Sequence, residues 1–308
     1  MDKKTKFIIL VIAIIIILLI LLYIYSKLNQ EVYKESCQGL LKLRKKIFPF
    51  QIHDVSLLND LHTEKYYRDV INITNSISTK PTTEQIYFLL KYKKFLEMDG
   101  IYSMCSPSDV GLVLGLMKDL ENSDVDGDLV ETGVWKGGMG MWMQGIMKKC
   151  KMRQRKIWLF DTFESFPGPD DNQCNQKDSI IHSVTDLLYN KGENSTHSID
   201  QVKGNFKKFD LYDDNLKFVR GDILETIPVT EKEIEKIALL RIDSDYYSSV
   251  KLTLEYLYDK IVKGGYVIID DYNNPVVGAK EAVDEFRHER GITEDMKKID
   301  GSVFWKIQ

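Results

Sequence analysis

From Asp128 onward, short apolar segments alternate with helical stretches, and this alternation restricts the fold more than any other feature of the sequence. Most of the apolar segments end on an acidic residue or are followed by a glycine. Short buried strands separated by helices are typical of a parallel sheet with helices on both faces. The predicted strands are residues 128–132, 156–161, 217–220, 237–243 and 266–270.

The end of the chain departs from this alternation. The segments "MKKID" and "SVFWKI" are separated only by Gly301, which predicts an antiparallel hairpin at the sheet edge. Two helices are predicted before the sheet, one starting at Thr82, with Gln85 at capping-box spacing, and one over 108–121. We therefore expect a mostly parallel, Rossmann-like α/β sheet with one reversed strand near its edge, a layout similar to the class I methyltransferase fold.

The N-terminal region predicts a membrane anchor. No charged residue occurs from Phe7 to Tyr25, and a helix of that length covers the roughly 30 Å of a bilayer's hydrocarbon. A cleaved signal peptide is the alternative, but the expected small-residue cleavage site is absent. Basic residues slightly favour a cytosolic C-terminal domain of a single-pass membrane protein. The predicted order is a tail (1–6), a transmembrane helix (7–25), a juxtamembrane stalk (26–80) and the α/β domain (81–308).

Charge and cysteine content exclude several classes of function. The formal net charge is -4 and no basic stripe stands out, so no nucleic-acid partner is expected. The four cysteines show no CxxC or Cys/His spacing, which argues against a zinc site or a disulfide framework. The sequence leaves the oligomeric state open, a homo-oligomer included.

The first candidate site is the turn "ETGVWKGG" after the first predicted strand. Its glycines, Gly133 and Gly137, let the backbone approach a ligand, and the following helix offers free amide donors. Glu131 would repel a pyrophosphate, so the turn favours a cationic amino-acid cofactor such as S-adenosylmethionine. The alternative is a tight strand-to-helix turn that binds nothing.

The next two strands also end on polar residues. Asp161 follows the second strand, where an acid can accept the ribose hydroxyls of an adenosine, in a methyltransferase or in a nicotinamide enzyme. Gly221 and Asp222 follow the third strand at the same edge of the sheet. Open α/β sheets bind ligands in the crevice at this edge, although each acid could instead cap the next helix.

The fourth and fifth strands end on two acids each, Asp243 and Asp245, then Asp270 and Asp271. Carboxylates that converge on one crevice repel one another, and a hard cation such as Mg²⁺ or Ca²⁺ offsets that repulsion. The alternative is again that these aspartates cap the helices that follow.

Seven ordered segments over residues 80–308 are similar to the macrocin-type sugar O-methyltransferases. They are "GDLVETGVWKGG", "LFDTFESFPGP", "VRGDILETIP", "LLRIDSDYYSS", "GGYVIIDDYNNP", "AVDEFRHERGI" and "IDGSVFWK". The resemblance implies an S-adenosylmethionine- and Mg²⁺-dependent O-methyltransferase acting on a hydroxyl of a sugar, small molecule or glycan. It assigns the metal to Asp243, Asp270 and Asp271, and the cofactor to Glu131, Gly133, Gly137, Asp161, Ser165, Gly221 and Asp222.

The resemblance leaves the catalytic base open. Catechol O-methyltransferases carry a lysine three residues after the first metal ligand, and here that position is Tyr246. Asp243 is the first choice for the base. Two alternative functions remain at this point: a nicotinamide-dependent oxidoreductase and an inactive membrane-anchored scaffold of the same fold.

Four residues outside these segments are weaker candidates for the substrate pocket. His182 and His197 lie in the segment 182–202, where the resemblance implies a substrate-covering segment between the second and third strands; they are candidate substrate contacts, but we interpret both as surface residues. Tyr102 and Met104 precede the sheet, and for them packing is the preferred interpretation.

Overall fold

The computed structural model describes residues 61–78, 102–164, 178, 197–274 and 277–308. The predicted anchor (7–25), the helix expected from Thr82, Ser165 and His182 lie outside these ranges. No helix in the described part of the chain is long and apolar enough to cross a membrane. The chain divides into two compact units, Met1–Lys65 and Tyr66–Gln308.

Helices and strands alternate in the predicted order. The strands are β1 (Asp128–Thr132), β2 (Ile157–Asp161), β3 (Leu216–Arg220), β4 (Ile237–Ile242), β5 (Ile261–Ile269), β6 (Lys297–Ile299) and β7 (Ser302–Lys306). The α-helices are α1 (Leu61–Ile77), α2 (Pro107–Asn122), α3 (Gly138–Lys149), α4 (Ile199–Lys208), α5 (Ile223–Thr230), α6 (Tyr247–Leu257) and α7 (Ala279–Glu289). Short 3₁₀ helices occupy Glu231–Glu233 and Tyr258–Lys260.

The strands form one sheet in the order β3-β2-β1-β4-β5-β7-β6. Strands β1 to β5 pair in parallel, whereas β7 runs antiparallel to both β5 and β6. The predicted mostly parallel sheet with one reversed strand near its edge is therefore confirmed.

The largest boundary error concerns β5, which begins at Ile261 and not at residue 266. Gly264 and Gly265 interrupt the apolar pattern, and Gly264 has a φ of 86°. The pairing with β4 also shifts register at this point, because Ile237 pairs with Ile261 but Leu239 pairs with Tyr266. A bulge of this kind breaks the regular pattern by which strands are recognised.

Helices cover both faces of the sheet. On one face α5, α6 and α7 pack on alternate strand residues such as Val130, Leu240 and Val267. On the other face α3 lies against β1 and β2, because a Cβ at Gly140 would lie 3.0 Å from Leu159 and 3.4 Å from Glu131. The strand residues that face α3 include the polar ones described below.

Two helices precede the sheet in the described residues. Helix α2 begins one residue before the predicted start at 108, and Ser106 and Asp109 form a capping box at its N-terminus. Helix α1 contacts α2, since the Thr74 hydroxyl is buried and donates to the Gly111 carbonyl at 3.2 Å. The last residues of the predicted stalk, from Tyr66, therefore belong to the same compact unit as the sheet.

Candidate active site

The glycine turn after β1 touches the end of β4. Gly133 has a φ of 82°, and a Cβ on it would lie 1.8 Å from the Asp243 carbonyl oxygen. Strand order reverses between these two strands, and at such a point an open α/β sheet forms its ligand crevice. Only glycine fits at position 133. The turn therefore packs directly against the end of β4, where it forms the floor of the crevice.

One cavity of about 820 Å³ occupies this crevice. It brings together most of the predicted site residues, although they come from five strands. Its wall includes Glu131, Gly133, Asp161, Asp222, Asp243, Tyr246, Asp270 and Asp271.

Two predicted cofactor-binding glycines do not line this cavity. Gly137 is the left-handed N-cap of α3, and a Cβ on it would meet Val202 and Phe206 at 3.0 Å. Gly221 has a φ of 137°, and its Cβ would lie 2.8 Å from Thr226. Both glycines satisfy backbone and packing requirements, and neighbouring Gly138 and Asp222 reach the cavity in their place.

The ends of β1, β2 and β3 form what we call the cofactor rim: Glu131, Asp161 and Asp222. Asp161 accepts hydrogen bonds from the backbone N–H groups of Val134 (2.7 Å), Trp135 (3.0 Å) and Phe163 (2.8 Å). It thereby holds the glycine turn against β2. Asp222 accepts from the Leu224 N–H at 2.9 Å and caps α5, so its alternative role as a helix cap is observed.

Glu131 differs from the other two acids of the cofactor rim. Its side chain is buried, and burial raises its pKa to about 7 even though the Arg241 guanidinium lowers it. One oxygen accepts a hydrogen bond from Arg241 at 3.0 Å. The other, Oε2, is buried without a hydrogen-bond partner among the described residues, which leaves an acceptor available to a ligand.

The ends of β4 and β5 form what we call the acidic rim: Asp243, Asp245, Asp270 and Asp271. Arg241 lies beneath it, 1% exposed, and donates to Asp243 at 2.8 Å and to Asp270 at 2.5 Å. Sequence reasoning missed Arg241. An arginine inside the apolar strand "IALLRI" was the signal, because a buried guanidinium requires anionic partners.

The acidic rim carries more negative charge than Arg241 offsets. Burial together with the neighbouring Asp271 and Asp270 raises the pKa of Asp245 to about 7. Burial and then Asp270 raise the pKa of Asp271. Asp245 and Asp271 also have φ values of 60° and 50°, a region that non-glycine residues seldom occupy. Strained backbone and crowded charge coincide at this rim.

The acids of this rim are not helix caps. Helix α6 follows β4, and its first N–H groups, Tyr247 and Ser248, donate to Asp178 at 2.7 and 3.2 Å. Helix α7 follows β5, and its N-cap is Gly278, which makes no side-chain capping bond. The alternative that these aspartates cap the helices after β4 and β5 is therefore wrong, although the sequence alone could not exclude it.

The donor types fit a hard divalent cation, because the acidic rim offers only carboxylate oxygens and an excess of negative charge. In the positions seen here, no three His, Cys, Asp or Glu side chains among the described residues converge as a formed metal-binding group. Arg241 partly explains why no such group is formed, because one oxygen of Asp243 and one oxygen of Asp270 accept hydrogen bonds from its guanidinium.

Residues from α2 and the β6–β7 hairpin close the same end of the cavity. The Ser302 hydroxyl lies 2.8 Å from Asp270 and 2.9 Å from Asp109. Burial and then the charge of Asp270 raise the pKa of Asp109. Sequence reasoning also missed this group, because Asp109 and Ser302 lie far along the chain from the strand that ends before Asp270.

Aromatic and apolar side chains form the outer wall of the cavity. Trp135 and His197 meet edge to face, with ring centroids 5.5 Å apart, and both line the cavity. Met104 is 55% exposed and lines it too. His197, which we interpreted as a surface residue, therefore lies in the cavity wall, and Met104 is exposed there and not packed in the core. Tyr246 is buried and also faces the cavity.

The chain is similar to several known methyltransferases. Residues 101–307 match a family model described as Macrocin-O-methyltransferase (TylF). A demethyldecarbamoylnovobiocin O-methyltransferase from Streptomyces niveus is 35% identical over 192 residues, which are 62% of this chain and 70% of that protein. An 8-demethyl-8-(2,3-dimethoxy-alpha-L-rhamnosyl)-tetracenomycin-C 4'-O-methyltransferase from Streptomyces olivaceus is 33% identical over 59% of this chain and 66% of that protein. The solved structure of the O-methyltransferase NovP matches with a TM-score of 0.62 and 27% identity, over 80% of this chain and 99% of NovP.

Proposed function

Because the chain belongs to the macrocin O-methyltransferase family and is an S-adenosylmethionine-dependent O-methyltransferase, we propose that its acceptor is a sugar hydroxyl, in a small molecule or a glycan. We further propose that Mg²⁺ or another divalent cation takes part. Family membership leaves the nicotinamide-dependent oxidoreductase and the inactive scaffold without support.

The observation that carries the proposal is the single cavity that joins the two rims. The cofactor rim offers an unpartnered buried carboxylate oxygen on Glu131, and the acidic rim offers an excess of carboxylates. A methyl donor with a cationic sulfonium and an ammonium group matches the first. A hard cation beside the acceptor matches the second.

On the cofactor side, Glu131 would hold the ammonium group of S-adenosylmethionine through Oε2. Gly133 allows the backbone to approach the cofactor, and Gly138 presents the N-terminus of α3 in the cavity wall. Asp161 fixes the turn through its three backbone bonds and lies beside the place expected for the ribose. Asp222 would contact the adenine end while it caps α5.

On the acceptor side, Asp243, Asp270 and Asp271 would hold the cation. A bound Mg²⁺ ion supplies positive charge that makes a nearby hydroxyl more acidic. Asp243 would also accept the hydroxyl proton, as the candidate base among these carboxylates. Tyr246 lies in the wall beside Asp243 and would orient the acceptor. Holding the acceptor oxygen in line with the methyl group can lower the barrier by roughly 7–11 kcal/mol.

The sugar assignment rests on what the cavity and the relatives have in common. The tetracenomycin enzyme's name specifies a rhamnosyl-bearing acceptor. In this chain Trp135 and His197 offer ring faces and edges at the cavity wall, beside polar groups, as carbohydrate rings require.

The test is a transfer assay with the full-length protein, labelled S-adenosylmethionine and fractionated cell extract. We expect label in a glycan, glycolipid or glycosylated small-molecule fraction, loss of transfer with a chelator, and recovery when Mg²⁺ is returned. Label on a protein side chain would contradict the sugar assignment. Transfer that a chelator leaves unchanged would contradict the role of the cation.

A further inference from the structure

Arg241 connects the two rims. It lies in register with Glu131 on the neighbouring parallel strand β1, so the two side chains leave the sheet on the same face. Its Nη1 donates to Glu131 at 3.0 Å and to Asp243 at 2.8 Å, and its Nη2 donates to Asp270 at 2.5 Å. One guanidinium therefore serves three carboxylates that belong to three different strands.

This arrangement fixes the direction of each carboxylate. The oxygens that Arg241 holds are Oε1 of Glu131, Oδ2 of Asp243 and Oδ2 of Asp270. The remaining oxygen of Glu131 is Oε2, which is buried and has no hydrogen-bond partner in the part of the chain that the structure describes. Asp270 is fixed further, because its Oδ1 accepts from the Ser302 hydroxyl and the Asp271 N–H. A planar guanidinium reaches these partners from two nitrogens in a fixed geometry, whereas lysine carries all of its donors on a single nitrogen.

We propose that Arg241 is a positioning residue which couples cofactor binding at Glu131 to cation binding at Asp243 and Asp270. The inference rests on the proposed function, since it takes Glu131 as the cofactor acid and the two aspartates as cation ligands. Each ligand binds carboxylates whose other oxygens Arg241 holds, so a change at one rim alters how Arg241 directs the carboxylates of the other.

The first experiment leaves Arg241 intact. Glu131→Gln removes the charge that anchors the guanidinium on β1, so Arg241 no longer directs Asp243 and Asp270 as it does in the wild-type protein. Mg²⁺ binding, measured by calorimetry without S-adenosylmethionine, should weaken about fivefold or more, within the usual range of coupling between sites.

Asp161→Asn is the matched control. Asp161 lies in the same cavity wall, but it takes its hydrogen bonds from the backbone of Val134, Trp135 and Phe163. Its loss removes the same charge without releasing a partner of Arg241, so Mg²⁺ affinity should change less than about twofold. If the two variants weaken Mg²⁺ binding equally, the effect comes from the lost negative charge alone, and the proposal is overturned.

The second experiment changes the guanidinium. Arg241→Lys keeps the charge but cannot bridge the strands, so affinity for Mg²⁺ and for S-adenosylmethionine should both fall, each by about tenfold. In contrast, Asp243→Asn should weaken chiefly Mg²⁺ binding. A folded Arg241→Lys protein, checked by thermal unfolding, that keeps wild-type affinity for either ligand would overturn the proposal.

If Arg241→Lys does not fold, the comparison of Glu131→Gln with Asp161→Asn decides alone. The wild-type protein separates this inference from the proposed function. Wild-type protein that binds no divalent cation contradicts the cation's role and the coupling together. Wild-type protein that binds Mg²⁺, with an affinity that Glu131→Gln leaves unchanged, contradicts only the coupling.

Discussion

The cofactor rim and the acidic rim both place aspartates after parallel strands, but the two rims satisfy those charges differently. At the cofactor rim, Asp161 accepts three backbone N–H bonds and Asp222 caps α5. At the acidic rim, Asp243 and Asp270 share a single guanidinium, and burial and neighbouring carboxylates raise the pKa of Asp245 to about 7. Asp161 and Asp222 are thus satisfied without a ligand, whereas the acidic rim has an excess of negative charge that a further cation would offset.

This difference separates acids that maintain the fold from acids that serve the reaction. A carboxylate bonded to backbone amides stabilises local structure and would be kept for that reason alone. Crowded carboxylates on strained backbone lower stability unless something binds them. We therefore expect substitutions at the acidic rim to reduce catalysis, and substitutions in the turn at the cofactor rim to reduce stability as well.

The largest effect should follow Asp270→Asn. This change removes one negative charge from the proposed cation ligands, and methyl transfer should fall roughly a thousandfold, about 4 kcal/mol in barrier height. Initial rates with and without chelator measure the loss. Calorimetry should still detect S-adenosylmethionine binding. A variant that keeps full, Mg²⁺-stimulated activity would show that Asp270 is not a ligand.

Gly133→Ala should have the largest effect on stability. Gly133 has a φ of 82°, and the new methyl group would lie 1.8 Å from the Asp243 carbonyl oxygen. Strain and displacement of the β4 end should cost about 3 kcal/mol or more, measured by denaturant unfolding.

Gly204→Ala is the control for this substitution. Gly204 lies within α4, and a Cβ there meets nothing within 4 Å. Alanine favours a helix by about 1 kcal/mol over glycine, so this variant should gain stability. If both alanine variants are equally stable, the turn is not the rigid floor described above.

The two rims also differ in how far the sequence predicts them. Strand positions and the reversed edge strand follow from hydrophobic pattern, because burial on both faces requires apolar residues and a turn as short as Asp300–Gly301 permits only a hairpin. The glycine turn could be recognised too. The separate roles of its two glycines could not be predicted. Gly133 and Gly137 look alike in sequence, yet Gly133 faces Asp243 and Gly137 faces α4.

The charge balance of the acidic rim could not be predicted from the sequence. Arg241, Ser302 and Asp109 reach Asp270 from a neighbouring strand, the hairpin and α2. These contacts join residues up to 193 positions apart in the chain, as in the bond between Ser302 and Asp109. Strand-end reasoning places acids at one edge but does not say which cation or hydroxyl meets them.

The raised pKa of Glu131, which lies between the two rims, predicts that the stability of the protein depends on pH. Its pKa is raised from 4.5 to about 7 by burial, with Arg241 opposing and Asp161 and Asp270 adding to the rise. The folded state therefore binds the proton more tightly than the unfolded state does. The stability from this residue is complete below pH 4.5 and is lost as pH rises through about 7.

Glu131→Gln isolates that contribution, because glutamine does not titrate. Relative to the variant, wild-type protein should lose on the order of 1 kcal/mol per pH unit within this window. Urea unfolding of both proteins from about pH 5 to about pH 8 measures the difference. A constant difference across the range would mean that Glu131 stays ionised in the folded protein.

The smallest expected effect concerns Asp178. Because its carboxylate caps α6, the aspartates of the acidic rim do not have to cap that helix. Asp178 is 2% exposed and caps α6 from outside the sheet. Asp178→Ala removes this cap and should cost about 1 kcal/mol of stability, whereas Asp178→Asn should cost less because an amide oxygen still accepts. The freed N–H groups of Tyr247 and Ser248 follow Asp245 by two and three residues, the spacing at which an aspartate caps a helix. Activity should therefore fall more in Asp178→Ala than the stability loss alone explains, and equal turnover by folded Asp178→Ala and Asp178→Asn would argue against this division of roles.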